Sequence, residues 1–503
     1  MQLTDEQLAI VDAARDDADL CVLARAGTGK TSTNVAIAED QPNKRFLYLA
    51  FNKRVADEGK RRFGSNVVVK TAHALAFGAV GRHFGARIKT SPYQIKHDLS
   101  DRFASAWASA GGARDQEQIA LYAALRAIDS FTASAAPELD DDEHIAEGPY
   151  DRSLVGAIAR GMWNAMSDPD DWSPVTHDVY LKIWQLALAG EHDAFGTNTR
   201  SIAADTILFD EFQDASPAML DICIRSGVPT IGTGDPRQAI YGFRGAVDAF
   251  GRVDFPVLPL SVSWRFGSEI ATPANDVLQV LNETILIRGR GPRGQVVVND
   301  TARPNAIVAR TNAGLIGEAI RVVDEGASIH VIGGHEQIFA WLLAAWDLWR
   351  WNRTRHPAFA MFASWQVLKT ASEQPIGRTY KPYVTLVEQY RNDIPGILRR
   401  LEGSCAPDDL ADVTLSSVHR FKGQEADTVR AANDFGLFCY PNTKPGATEP
   451  YIIDEEEANL AYVMLTRARK VLDLGGYAVT LRQSLANGRT LRSPAARPPH
   501  APR

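Results

Sequence analysis

Residues 24–31 read Ala-Arg-Ala-Gly-Thr-Gly-Lys-Thr and lie between an apolar run, Leu20–Leu23, and a helical pattern. A buried strand that hands a glycine-rich turn to the start of a helix leaves few folds open, because such a turn is built to receive an anion. Small residues let successive backbone N–H groups wrap a phosphate, and the helix N-terminus adds partial positive charge. The stretch fits the phosphate-binding loop pattern, except that Ala24 takes the place of the leading glycine. In that pattern Ala26, Gly27, Thr28 and Gly29 cradle the phosphates, Lys30 reaches the terminal ones, Thr31 holds Mg2+ and Ser32 continues the lining.

The surrounding rhythm extends the constraint. Phe46–Ala50 reads as a second strand, followed by a charged helix around Asn52–Arg62, and Val67–Lys70 reads as a third strand. Such alternation predicts a parallel sheet with crossover helices. From about residue 76 to 200 the texture changes to alanine-rich helical stretches with an acidic loop at Glu138–Glu143, and strands return at Thr206–Phe209 and Thr230–Ile231. A second β/α region starts near Leu258, with strands at Val296–Val298, Ala306–Ala309, Ser328–Ile332, Val413–Ser416 and near Val471–Leu474. Gly333-Gly334 breaks it, and a helical stretch carrying Trp341, Trp346, Trp349, Trp351 and Trp365 fills residues 335–405. The expected fold class is therefore α/β, with two α/β lobes, 1–75 with 201–257 and 258–334 with 406–484. Helical insertions at 76–200 and 335–405 interrupt them. The tail from 485 to 503, rich in Arg, Pro and Ala, is expected to be disordered.

Composition narrows the class of function. Hydrophobic residues make up 45% and charged residues 23% of the 503 residues, as in an ordinary globular chain. The net charge of -7 means that any nucleic acid must be held by local basic patches, not by the overall field. Cys21, Cys223, Cys405 and Cys439 are too far apart in sequence to read as a metal or redox pair, so reduced thiols are expected. No basic-then-apolar leader stands at the start. No apolar run approaches the roughly 20 residues that span a bilayer. A cytoplasmic protein without a membrane partner is expected, whether associated with a nucleoid or working in a phage host.

A second acidic motif follows the phosphate loop. Ile207-Leu208-Phe209-Asp210-Glu211 is an apolar run ending in two carboxylates. That placement suits Asp210 on Mg2+ and Glu211 activating an attacking water. Asp210-Glu211-Phe212-Gln213-Asp214 then resembles the DExQD box of superfamily 1 DNA helicases of the UvrD/Rep type. Gly234 to Ala246 (Gly-Asp-Pro-Arg-Gln-Ala-Ile-Tyr-Gly-Phe-Arg-Gly-Ala) resembles their third motif, Val418 to Glu425 their fifth and Tyr462 to Ala468 their sixth. Thr4-Asp5-Glu6-Gln7 is similar to their Q motif. The Ala50–Lys53, Thr71–His73 and Glu457–Leu460 runs look like the F-box DNA helicase branch and its phage and bacterial relatives.

That resemblance implies two RecA-like P-loop motor domains with ATP in the cleft between them, and roles for particular residues. Gln7 would read the adenine edge, Trp264 would stack on the base and Glu425 would meet the ribose. Gln238 and Arg265 would contact the γ-phosphate, and Arg467 would act as an arginine finger. Phe51, Asn52, Thr71, His73, Tyr241, Phe243, Arg244 and His419 would contact single-stranded DNA, the aromatics by stacking. Phe243 stands where many relatives carry Trp, and Ala72 where they carry an aromatic. Lys60-Arg61-Arg62 reads equally as a phosphate contact or as a solvated helix face.

The resulting expectation is an ATP- and Mg2+-dependent helicase, active as a monomer. It would move 3′-to-5′ on single-stranded DNA, or at single/double-strand junctions, in replication, recombination or repair. The short second insertion keeps a rival open: a translocase that strips proteins with little unwinding. A second rival, of another class, is an ATP-switched regulatory protein that binds nucleic acid.

Overall fold

The computed structural model describes residues 3–492 apart from 90–91, 114–115, 192–201, 243–248, 301, 357, 360–361, 374–378, 445–446 and 448. The chain divides into two compact units: residues 1–24 with 29–260, and 25–28 with 261–503.

The first unit is built on a six-stranded sheet. Its strands are β1 (Leu20–Ala24), β2 (Phe46–Ala50), β3 (Val67–Thr71), β4 (Thr206–Asp210), β5 (Thr230–Gly234) and β6 (Val257–Leu260), in the order β3-β2-β4-β5-β1-β6. Every pairing is parallel. Such a sheet must be covered on both faces, and the side chains alternate accordingly. Phe46, Tyr48 and Leu208 join Ile10, Val22 and Ile37 on one face. Leu47, Leu49, Ile207 and Phe209 pack on the other, with Trp107, Leu125, Phe131 and Phe212.

That second face is covered by the inserted helices Pro92–Ser109, Glu117–Ala133, Arg152–Ser167 and His177–Ala189. Asp151 and Thr176 cap the last two, each accepting a backbone N–H of the first turn. The stretch expected as an acidic loop is partly helical. Asp140 caps the short helix Asp141–His144 by accepting from Asp142 N and Glu143 N, because carboxylates suit a helix start.

The second unit repeats the architecture. Its short strands β7 (Val262–Ser263) and β8 (Arg288–Gly289) pair with each other. The main sheet uses β9 (Gln295–Val297), β10 (Ala306–Ala309), β11 (Ile329–Val331), β12 (Val413–Ser417), β13 (Ala426–Ala431) and β16 (Ala468–Asp473). Its order is β11-β12-β10-β13-β16-β9, again all parallel. A small antiparallel ribbon, β14 (Cys439–Pro441) with β15 (Tyr451–Ile453), stands beside it. The expected α/β class with parallel sheets is thus the observed one.

Between β11 and β12 lie the helices Glu336–Trp351, Trp365–Ser372, Lys381–Tyr390 and Ile394–Gly403. They close around Trp341, which stacks on Tyr380 at 5.7 Å and meets Phe359 edge-on at 5.4 Å. Trp351 faces solvent, with the Arg350 guanidinium 4.7 Å from its ring centre.

Two expectations need correction. The boundary read near Leu258 falls after Leu260, because Val257–Leu260 pairs with Cys21–Ala24 as the edge of the first sheet. The tail read as disordered from 485 is helical as far as Arg492. Leu481 and Leu485 are buried there, and Gly488 passes so close to Val280 that a Cβ would lie 2.6 Å from its methyl carbon. A segment with leucines one turn apart gains enough burial to order. Residues 493–503 lie outside the described residues. Among the described residues no helix is long and apolar enough to cross a membrane.

One buried charge ties the first insertion together. Lys182 Nζ donates to the carbonyls of Ser134 (2.9 Å) and Ala136 (2.6 Å) and sits 4.4 Å from the Phe131 ring centre. Burial pulls its pKa down to about 8, against the pull of Asp221, Glu191 and Glu143. The unfolded chain therefore holds a proton that the native state has shed between pH 8 and 10.5, so Lys182 makes stability rise with pH across that window. Urea unfolding of the native chain and of Lys182→Met at both ends of the window checks this. The stability difference in favour of the native chain should grow by about 1–3 kcal/mol.

Candidate active site and nucleic-acid interface

Strand register brings the chemistry to one edge of the first sheet. Leu23 of β1 pairs with Gly234 of β5, and Asp210 of β4 pairs with Thr233. The carboxyl ends of β1, β4 and β5 are therefore level, which is where open parallel sheets bind ligands. Just beyond them stand Lys30, at the start of the helix Lys30–Asp40, the pair Asp210 and Glu211, and the turn Asp235–Gln238. Gly29 caps that helix at φ +86°, a left-handed conformation that glycine adopts without a Cβ clash.

Lys30 Nζ lies 2.8 Å from Glu211 Oε2. Burial would depress this lysine, but the carboxylates of Glu211, Asp210 and Asp235 outweigh it and hold the ammonium above its usual range. Asp210 is pushed the other way from an ordinary carboxylate. Burial, and then the negative charge of Glu211, raise its pKa to about 6 despite Lys30. The site holds more negative charge than its one lysine satisfies. The Asp210 carboxylate and the Thr31 hydroxyl, both bonded to the Tyr48 hydroxyl, are oxygen donors of the kind that suits Mg2+, so Thr31 and Asp210 fit the metal expected of them.

Backbone and second-sphere contacts set this geometry. Glu211 has φ +52°, which turns the chain sharply as it leaves β4. Gln213, wholly buried, donates to Glu211 Oε2 at 2.6 Å and accepts from Asp235 N at 2.9 Å. Asp235 accepts from Gln238 Nε2 at 3.0 Å. Gln213 and Asp235 thus connect the Asp210–Asp214 box to the Gly234–Ala246 motif, although the sequence reading gave neither a role. The signal was present, since both stand inside the quoted motifs. Tyr48 was also missed: its hydroxyl donates to Asp210 Oδ2.

The other expected nucleotide contacts fall as follows. Gln7 is buried, donates to Thr33 Oγ1 at 3.0 Å and completes a capping box with Thr4. Ser32 accepts from Arg62 Nη2 at 2.8 Å. Within the second unit, Gly27 packs close to Ser263–Arg265, and Ala26 and Thr28 flank it in sequence. Trp264 N donates to Gly27 O at 2.9 Å, and a Cβ on Gly27 would lie 2.6 Å from both Arg265 Cβ and Ser263 Oγ. The Trp264 side chain is about half exposed. Arg265 is engaged by Glu425 and by Thr466 O. Arg467 is buried, donating to Val463 O at 2.8 Å and Thr466 Oγ1 at 3.0 Å. Arg265 and Glu425, expected on phosphate and ribose, are thus brought to each other.

Of the expected DNA contacts, Phe51 and Tyr241 stack at 5.6 Å with 18° between their planes. Asn52 and Thr71 are helix caps, accepting from Val55 N and Ala74 N. His73 pairs with Asp178 at 2.8 Å. His419 lies in the short helix after β12, its Nε2 shielded from solvent. Phe243 and Arg244 lie outside the described residues. In the basic run, Lys60 pairs with Asp57 and Arg62 with Glu58, as on a solvated helix face.

The raised Asp210 gives a measurable signature. Between pH 3.8 and about 6 the native state holds a proton that the unfolded chain has lost, so stability falls as pH rises through that window. Above it an ionised Asp210 costs stability. Asp210→Asn should therefore be more stable than the native chain at neutral pH in chelator, on the order of 1 kcal/mol, with the advantage vanishing in acid. Thermal unfolding at both pH values checks it.

Comparison with known proteins agrees with this geometry. The family described as an AAA domain matches residues 7–244. The chain is 29% identical over 94% of its length to "F-box DNA helicase 1" of Gallus gallus, covering 49% of that protein. It is 28% identical over 94% of its length to "F-box DNA helicase protein 1" of Schizosaccharomyces pombe, covering 57%. The chain thus spans about half the length of these two relatives. It is 25% identical to "ATP-dependent DNA helicase UvrD2" of Mycobacterium tuberculosis, over 94% of the chain and 78% of that protein. The ordered motifs, the two parallel sheets and these matches along nearly the whole chain make it similar to superfamily 1 helicases of the UvrD/Rep type, the F-box DNA helicases among them.

Proposed function

We propose that this chain is an ATP-dependent motor that moves along single-stranded DNA and separates or clears what it meets there. The observation that carries this reading is the cluster of Lys30, Thr31, Asp210, Glu211 and Gln238 at one sheet edge. Lys30 would bind the β- and γ-phosphates of ATP, and Thr31 and Asp210 would hold Mg2+, which supplies charge neutralisation on the phosphates. Glu211 would orient and deprotonate the attacking water. The phosphates would compete with Glu211 for Lys30, freeing that carboxylate when substrate is bound. Gln238, bonded to Asp235 and through it to Gln213 and Glu211, would report the γ-phosphate to the third motif. Arg265 would leave Glu425, and Arg467 its carbonyls, to meet transition-state charge.

The Phe51–Tyr241 stack supports a single-strand track, since base-sized aromatic faces bind without sequence preference. The N-termini of the helices Lys53–Arg62 and Ala72–Ala79 would favour backbone phosphates. Movement 3′-to-5′, and work in replication, recombination or repair, follow from the family resemblance. The small second insertion favours translocation with protein displacement over vigorous unwinding. Among its described residues Phe359, Tyr380 and Tyr383 are turned inward around Trp341, and Trp351 and its arginines are the duplex-facing candidates.

Steady-state ATP hydrolysis with and without single-stranded DNA tests the proposal. DNA should stimulate turnover many-fold, and Lys30→Ala should lose roughly 10²–10³-fold of it. Turnover indifferent to DNA would overturn the motor reading. Phe51→Ala should weaken single-strand binding by about 1–3 kcal/mol, as read by fluorescence anisotropy, with DNA-free turnover kept.

A further inference from the structure

Tyr48 has no part in the mechanism above, yet it touches the centre of it. It sits in the middle of β2, wholly buried, with its ring 4.6 Å from that of Phe63. On the same side it lies against Gly59, where an added Cβ would come within 3.3 Å of Tyr48 Cε1. The ring is therefore held by the helix that follows the candidate DNA-contact turn at Phe51 and Asn52. Its hydroxyl has two partners, and neither is a neighbouring backbone group. It donates to Asp210 Oδ2, and the Thr31 side chain bonds to the Tyr48 hydroxyl itself.

A buried phenol needs a partner, and any carbonyl would serve. This one joins the two side chains read as Mg2+ ligands. Asp210 Oδ1 accepts from Glu211 N at 3.0 Å, so both oxygens of the carboxylate are fixed from outside. The other charged groups facing the site are Lys30, Glu211 and Asp235.

We propose that Tyr48 is a positioning residue for Mg2+: its hydroxyl holds Asp210 and Thr31 in register, so that a divalent cation meets a prepared pair of oxygens. The inference rests on the Mg–ATP reading of this site. Outer-sphere partners of this kind orient metal-binding carboxylates, and their loss costs roughly 10–100-fold in metal affinity. The rigid ring also ties that pair to the Phe51 turn, three residues further along.

The test titrates Mg2+ against binding of a fluorescent ATP analogue, for the full chain and for Tyr48→Phe, which keeps the ring and removes one oxygen. Half-saturation by Mg2+ should move up about 10–100-fold, while affinity for the analogue in chelator stays the same. Urea unfolding in chelator accompanies the titration. Should the variant be less stable, the Mg2+-dependent rise in Tm with nucleotide gives the same comparison from its folded fraction. A native chain that responds to Mg2+ and a variant that responds identically would overturn the role of Tyr48 alone. A native chain that binds the analogue without regard to Mg2+ would overturn the reading of the site itself.

Discussion

A lysine and two carboxylates meet at the edge of a sheet that is buried on both faces, and much of the first unit is arranged to make that meeting possible. Lys30, Asp210 and Glu211 come from elements about 180 residues apart in sequence. They converge because β1 and β4 both pair with β5 in a register that levels their carboxyl ends. Taking such charges out of water is costly unless they are paired. Here the pairing is incomplete: Lys30 is held more basic than usual and Asp210 less acidic. A site with that imbalance suits a divalent cation.

The surroundings hold the imbalance in place. Glu211 is kept in a left-handed backbone conformation that non-glycine residues seldom adopt, and such strain persists only where neighbours over-determine it. Gln213 supplies part of that determination, bridging Glu211 and Asp235 from a wholly buried position. Gly234 leaves room for it, since a Cβ there would fall 2.1 Å from Gln213 Oε1. Tyr48 does similar work from the β2 side. The second and third motifs are thereby one hydrogen-bonded unit, and a change at the γ-phosphate would be felt in the turn that carries Tyr241.

Legibility differed sharply between classes of feature. The parallel strands and crossover helices could be read because buried strands write continuous apolar runs, and the phosphate-loop pattern because Gly27 and Gly29 take left-handed backbone that other residues seldom adopt. The boundary at Leu260 and the helix to Arg492 could not, since an edge strand and an amphipathic end helix are defined by what they pack against. Asn52 and Thr71, legible as motif residues, turned out to be helix caps, a use the same side chains serve equally well. Arg265 and Arg467 were legible as motif residues, but their partners within the second unit, Glu425 and the Val463 and Thr466 groups, are fixed only by the fold.

By itself the sequence determined the residue types that phosphate, metal and base stacking demand, and their order along the chain, because those requirements act locally through backbone freedom, charge and aromatic surface. Tertiary structure decided which of those groups meet. Only strand register sets Lys30 against Glu211, only the burial of β2 brings Tyr48 to Asp210 and Thr31, and only the packing of two distant turns stacks Phe51 on Tyr241. Contacts between residues far apart in sequence depend on the whole sheet being formed, and no local pattern records them.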